Sequence, residues 1–355
     1  MRRLHRWLGL ALGAWLAVAG GSGALIVFWP EIETAGLPAA GPGPALPLAT
    51  LASAATAALP EAPDGPLRLL PPATPGARFV AHFRLADGSR TTLHLDPATG
   101  AVLGERRWGH QRIHWFYALH HGGLFGRWGT LAAELAALPL LALLAAGLVL
   151  LARRDALPWR EKLFFRKGLR GRRRLGNWHR VLGLWAALPL AIAAVTGLGI
   201  AFEQTTQTAL YRLLRPSPGA VAPPQPGRGP IDLDGAVALV EAARPGWRVS
   251  AIDRADTAGR IPLLLLPREA WLPRAPSQAL VDPGTGALLS LRDPDTVTHL
   301  TAWLMALHNG TAFGLPHRLA VVALGLVPAG LGGLGLILWL RGWGRLRQAR
   351  ARATA

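Results

Sequence analysis

Four histidines recur in this chain at matching places, and imidazole is the side chain best suited to hold a metal or move a proton near neutral pH. Ala118-Leu119-His120-His121-Gly122-Gly123-Leu124-Phe125-Gly126 returns as Ala306-Leu307-His308-Asn309-Gly310-Thr311-Ala312-Phe313-Gly314, both reading A-L-H-x-G-x-x-F-G. His5-Arg6-Trp7-Leu8-Gly9-Leu10 returns as His179-Arg180-Val181-Leu182-Gly183-Leu184. Each histidine precedes a long apolar run, at 8–29, 131–152, 181–202 and 319–340. As a helix such a run is about 33 Å long, enough for the roughly 30 Å hydrocarbon core of a bilayer. Imidazole at membrane depth is costly without a partner, so the four are functional candidates. The plainer alternatives are helix-end anchors, for His5 and His179 beside Arg6 and Arg180, and hydrogen-bonded helix caps, for His120 and His308.

The elements that must position them follow from the duplication. The sequence predicts an α-helical membrane protein: a four-helix transmembrane bundle from a tandem two-helix repeat. Its expected divisions are helix 1 at 1–29, an exported module at 30–118, the second histidine motif with helix 2 at 119–152, and a basic loop at 153–180. Helix 3 at 181–203, a second exported module at 204–307, the last motif with helix 4 at 308–340 and a tail at 341–355 complete the chain. The net charge of +18 raises nucleic acid as a partner, but its distribution points to a bilayer instead. Nineteen of the 38 Lys and Arg fall in residues 2–6, 153–180 and 341–352, with only Asp155 and Glu161 against them. Short basic loops stay in the cytoplasm, so both termini and the 153–180 loop are expected inside. A signal peptide is the competing reading of 1–29, but its apolar core exceeds the usual length of roughly 7–15 residues. With no cysteine, thiolate zinc and iron–sulfur sites are excluded.

Within the first exported segment, a linker rich in Ala, Pro and Gly with one helix at 46–59 precedes strands near 77–85, 91–95 and 101–106. The second has a Pro-rich linker at 216–230, a helix at 234–243 and strands near 248–253, 261–266 and 279–281. Asp96-Pro97-Ala98-Thr99-Gly100 and Asp282-Pro283-Gly284-Thr285-Gly286 share D-P-x-T-G, which is hairpin-turn chemistry. On the H-R-x-L-G-L openings, the L-H-x-G-x-x-F-G elements and both D-P-x-T-G turns, the chain resembles the PepSY-associated transmembrane family along nearly its whole length. The resemblance implies a multi-pass protein of the bacterial inner membrane with two periplasmic α+β PepSY-like modules. It also implies iron-regulated proteins and ferric-siderophore reductases that hold two b-type haems between histidines.

Parallel repeats place equivalent residues across a pseudo-twofold axis, pairing His5 with His179 near the inner face and His120 with His308 near the outer face. Two imidazoles opposed in this way suit an iron porphyrin with both axial positions filled, hence electron transfer. The expected ligands of two haem b groups are therefore His5, His179, His120 and His308, with Arg6 and Arg180 matched to propionates. A straight helix would lift His120 and His308 about 16 Å above their runs, so the glycine segments must lower them. Gly9, Gly13, Gly183, Gly197 and the glycines of 330–335 offer close helix contact or a flat surface for a macrocycle.

The remaining candidates carry less. His121 and His317 are opposite Asn309 and Gly129 in the repeat, and stand as alternative ligands. His110 and His114, four apart, suit a metal on one helical face but lack a third ligand. His82, His94 and His299 read as surface or hairpin residues. Glu134, opposite Val322, is either bundle glue with Arg127 or Arg318, or a proton or propionate-linked group. The expected activity is reduction of a periplasmic ferric-siderophore or other ferric chelate. No dinucleotide fingerprint or flavin site appears, so a quinol or a cytoplasmic reductase would donate the electrons. The competing class is a non-redox PepSY membrane protein that binds a periplasmic partner or assists iron or siderophore transport.

Overall fold

The computed structural model describes residues 1–74, 76–153, 158–269 and 272–353, with side chains for all of these except residue 2 and residues 342–353. Arg154 and Asp155 of the expected basic loop, and residues 354–355 of the tail, lie outside the described residues. The first half of the chain comprises α1 (Arg2–Ile26), α2 (Trp29–Glu33), α3 (Leu48–Ala57), β1 (Pro66–Leu70), β2 (Phe79–Arg84), β3 (Arg90–Leu95) and β4 (Val102–Arg107). After these come α4 (Arg112–His120), α5 (Gly126–Leu135), α6 (Ala137–Ala152) and α7 (Trp159–Leu163). The second half comprises α8 (Gly171–Ala201), α9 (Glu203–Leu214), β5 (Val221–Ala222), α10 (Leu233–Ala243), β6 (Trp247–Asp253), β7 (Ile261–Pro267), β8 (Ser277–Asp282), β9 (Ala287–Arg292), α11 (Thr296–Asn309) and α12 (Gly314–Ala353).

Two compact units result, and each gathers pieces from both halves. The first contains Met1–Trp29, Trp115–Thr206 and Leu304–Ala355. Its four spans, Arg3–Ile26, Gly123–Ala152, Gly171–Ala201 and Thr311–Arg341, are long and apolar enough to cross a membrane. Helix α1 packs against α6 and α12, and α8 packs against the same two, so α1 and α8 are diagonal. Small residues bring α1 and α12 together: a methyl group at Gly20 would overlap the Gly325 carbonyl oxygen, and Gly13 faces Gly332. The second span is interrupted at Ala136, because Pro139 has no N–H to return to the Leu135 carbonyl.

The second unit, Pro30–His114 with Gln207–Trp303, holds one nine-stranded antiparallel sheet in the order β4-β3-β2-β1-β6-β7-β8-β9-β5. The two exported modules expected from sequence are thus halves of one sheet, joined where Arg68 pairs with Asp253 and Leu69 with Ile252. Alternation along β2 buries Phe79, Ala81 and Phe83, and along β7 Ile261, Leu263 and Leu265. These side chains, with Leu51 and Ala55 of α3 and Ala236 and Val240 of α10, form a single core. The halves also cap one another, since Asp234 of α10 accepts from Leu48 N (2.9 Å) and Ala49 N (3.3 Å) at the start of α3. Both D-P-x-T-G turns form: Asp96 accepts from Ala98 N (2.8 Å) and Asp282 from Gly284 N (2.9 Å). Helix α9 and strands β1 and β9 had no counterpart in the sequence reading.

Candidate functional site

In both A-L-H-x-G-x-x-F-G motifs the histidine lies in the last turn of a helix, which ends at His120 or Asn309, and the glycines turn the chain. Gly122 and Gly310 have φ of 69° and 83°, and Gly126 and Gly314 have 61° and 66°, values that favour glycine. Each turn carries a short 3₁₀ segment, Gly123–Phe125 or Thr311–Phe313, before the spanning helix restarts. The histidine is therefore not held a straight helix length above its span. It folds back onto a neighbouring span, which removes the height difficulty that a straight helix would set.

His120 Nδ1 lies 2.8 Å from the Ala19 carbonyl of α1, and His308 Nδ1 lies 3.1 Å from the Ala193 carbonyl of α8. His5 Nδ1 lies 3.1 Å from the Leu143 carbonyl of α6. His179 Nδ1 is buried on the side of Leu331 of α12, just short of a hydrogen bond. The step along the chain from Ala19 to Ala193 equals that from His5 to His179, and the step from Leu143 to Leu331 equals that from His120 to His308. All four histidines thus repeat one arrangement, each addressing the other helix of its own repeat.

A glycine lies one turn beyond each carbonyl, facing the ring, and three of the four leave room that a methyl group would take. A Cβ at Gly23 would lie 2.8 Å from His120 Cε1, and one at Gly197 the same distance from His308 Cε1. At Gly147 the corresponding distance to His5 Cε1 is 3.2 Å, and at Gly335 it is 3.8 Å from His179 Cε1. Sequence reasoning singled out Gly197 and the 330–335 glycines without tying them to a histidine, and it missed Gly23 and Gly147. The signal was the shared spacing of carbonyl, glycine and histidine in both repeats, which only contact geometry makes meaningful.

The rings meet in pairs. His5 and His179 have ring centroids 6.0 Å apart with planes at 86°, and His120 and His308 have centroids 6.0 Å apart with planes at 54°. A carbonyl oxygen carries no proton, so Nδ1 is the protonated nitrogen where it faces one, and Nε2 keeps its lone pair. For His120 and His308, just outside the spans, desolvation pushes the ring pKa down, to about 4 for His120, which keeps that lone pair free. A histidine nitrogen binds a metal at about 2.1 Å and stands about 1 Å from its ring centre, so two imidazoles on one ion have centres roughly 6 Å apart. Both pairs fit that requirement.

The other candidates fall outside the pairs. Arg6 lies over the Trp7 ring, and Arg180 donates to the Glu161 carbonyl of α7. His121 stacks on Tyr117 and bonds its carbonyl, while His317 leans on Phe313. Glu134 has no hydrogen-bond or ion-pair partner among the described residues. The two arginines expected as its partners are engaged elsewhere, Arg127 over Trp128 and Arg318 with the Val27 carbonyl and the Phe28 ring. His110 precedes α4, so it does not share a helical face with His114. His114 is instead buried, stacked on Trp108, with Nδ1 accepting from Gly109 N. His94, read as a surface or hairpin residue, stands in strand β3 opposite Val80 of β2 and is only 5% exposed; Arg106, Arg78 and Asp96 of the same sheet region tie down residues 33–41. No group of three or more metal-binding side chains occurs among the described residues.

The family described as the PepSY-associated TM region matches residues 2–341. The chain belongs to this family. Its PepSY-associated membership spans both repeats and all four paired histidines. Compared with curated proteins, the chain finds no match.

Proposed function

We propose that this PepSY-associated protein is a haem-containing electron carrier of the bacterial inner membrane that reduces a ferric chelate, an iron–siderophore above all, on the periplasmic side. The observation that carries the reading is the pair of facing histidine couples, each 6.0 Å apart between ring centroids, with Nδ1 turned to a neighbouring helix. His5 and His179 would hold the inner haem b, and His120 and His308 the outer one. Each haem, when bound, would supply a one-electron couple. The basic segments, including both termini, lie inside by the charge rule, and the sheet unit, with its two PepSY-like halves, lies in the periplasm.

The chain's own residues act by position. The carbonyls of Ala19, Ala193 and Leu143 fix the tautomer and rotation of their rings, and Gly23, Gly197 and Gly147 let those three rings approach. The apolar spans exclude water between the pairs. The electron donor is a second component, a quinol or a cytoplasmic reductase. Protein purified from haem-replete cells is expected to show split α and β bands on dithionite reduction, with two haems per chain. A colourless preparation would overturn the reading in favour of a non-redox protein that binds a periplasmic partner.

A further inference from the structure

The basic loop that leads into α8 is held against the mouth of its own span. The carbonyls of Glu161 and Leu163 in α7 accept from Arg180 Nη2 (2.5 Å) and Trp185 Nε1 (2.8 Å), and Arg166 N donates to Asn177 Oδ1 (3.1 Å). The chain therefore descends beside α8, reaches its deepest point near Leu163 and climbs back by Arg166. Even with the Trp185 indole leaning toward the start of its helix, Leu163 stands near Val181, where the apolar run of this span opens. The apex Leu163–Phe165 is thus level with the edge of the bilayer's hydrocarbon.

What this segment exposes fits that level. Trp159, Phe164, Phe165 and Trp185 are each more than half exposed, and Trp178 lies edge-on to Phe165. Large aromatic side chains left uncovered at this depth are the usual belt of a membrane interface. Among them, residues 159–174 hold eight Lys and Arg against one acid, Glu161, which Arg166 engages at 3.1 Å. The side chains of Lys167, Arg170, Arg172 and Arg173 make no hydrogen bond or ion pair among the described residues. An acidic protein would match these charges but leave the aromatic apex in water, and a neutral lipid would cover the apex but leave the charges unmatched. Anionic phospholipid satisfies both. We propose that residues 159–174 form a lipid clip, with Leu163–Phe165 inserted at the acyl boundary and the surrounding Lys and Arg holding the phosphates of anionic phospholipids in the same leaflet. Its hydrogen bonds to Asn177 and Arg180 bracket His179, so bound lipid steadies the start of α8. The clip needs no haem to form.

The chain has no cysteine, so single cysteines report depth in the purified full-length protein. In nanodiscs containing phosphatidylglycerol, Phe164→Cys should resist a charged maleimide that labels Arg173→Cys quickly; Trp159→Cys takes its place if Phe164→Cys does not fold. Equal labelling puts the apex in water, as docking of an acidic protein would require, and overturns the clip. Native mass spectrometry in detergent should show phosphatidylglycerol bound in preference to phosphatidylcholine. Arg172→Gln/Arg173→Gln should weaken phosphatidylglycerol binding about 25-fold, roughly 5-fold for each charge, and leave phosphatidylcholine binding unchanged. Added salt should erode the same preference, since exposed charges are screened. A double variant that keeps its preference, or inorganic phosphate that displaces the lipid at equal concentration, overturns the lipid assignment.

Discussion

The two units use the same duplication in opposite ways. In the membrane unit the halves interleave: each repeat positions its own histidines through its own carbonyls and glycines, yet every pair needs one ring from each repeat. In the sheet unit the halves stand side by side, joined by one pair of first strands and a shared core. The difference follows from what each must achieve. A two-sided ligand set requires groups opposed across an axis, whereas a sheet requires only that edges be covered and apolar faces buried. Substitutions in the first unit should therefore act on one site at a time, and those in the second should act on stability.

The largest expected effect is the loss of one whole site. His308→Ala should remove about half of the bound haem and leave the remainder reducible, because the two pairs share no residue; full retention would transfer the role to His317 or His121. Next comes a paired comparison of notches. Gly197→Ala forces a methyl group against His308, so haem affinity of that site should fall about 10- to 100-fold, the range for disturbing the support of a ligand. Gly335→Ala puts the methyl group at ordinary contact distance from His179 and should leave the site loaded. Equal losses in the two variants would break the argument that the glycines make room for the rings.

Effects in the sheet unit should be smaller and should spare both sites. Burial, with Arg78 and Arg106 nearby, pushes His94 down to about 4. The unfolded chain then binds the extra proton between the ordinary histidine value, about 6.5, and 4, so stability present above this window is lost as pH falls through it. Thermal melts should drop by several degrees across the window, and His94→Leu should flatten that slope; His82 and His114, also lowered by burial, add to the wild-type dependence. The smallest effect belongs to the seam. Arg68 and Asp253 pair at the β1–β6 junction but remain partly exposed, so Arg68→Ala should cost at most about 1 kcal/mol. A larger loss would mean that this pair, rather than the shared core, holds the half-sheets together.

The spans and the pairing of histidines were legible because apolar length and duplication are one-dimensional properties. His5 was foreseen opposite His179, and His120 opposite His308, from repeat equivalence alone. The single sheet was not. β1 is short and opens with a proline, and its antiparallel pairing with β6 joins the two halves of the chain across a separation for which local pattern carries no signal. His94 was legible as a hairpin residue, and it does stand in the β2–β3 hairpin, but its burial was not legible from its own strand. The notch glycines were visible as letters, but what each one faces depends on helix rotation.

Strand β1 against β6, and each histidine against its own counterpart, are the contacts that two identical half-chains would make about a twofold axis. Each unit is, in geometry, a homodimer whose subunits happen to be covalently joined. The junction then serves stoichiometry: it guarantees one partner of each kind at high effective concentration and leaves the halves free to diverge. His121 opposite Asn309, and His317 opposite Gly129, are divergences that a true homodimer could not have recorded. Two separately expressed half-chains should still assemble, but only as a concentration-dependent complex.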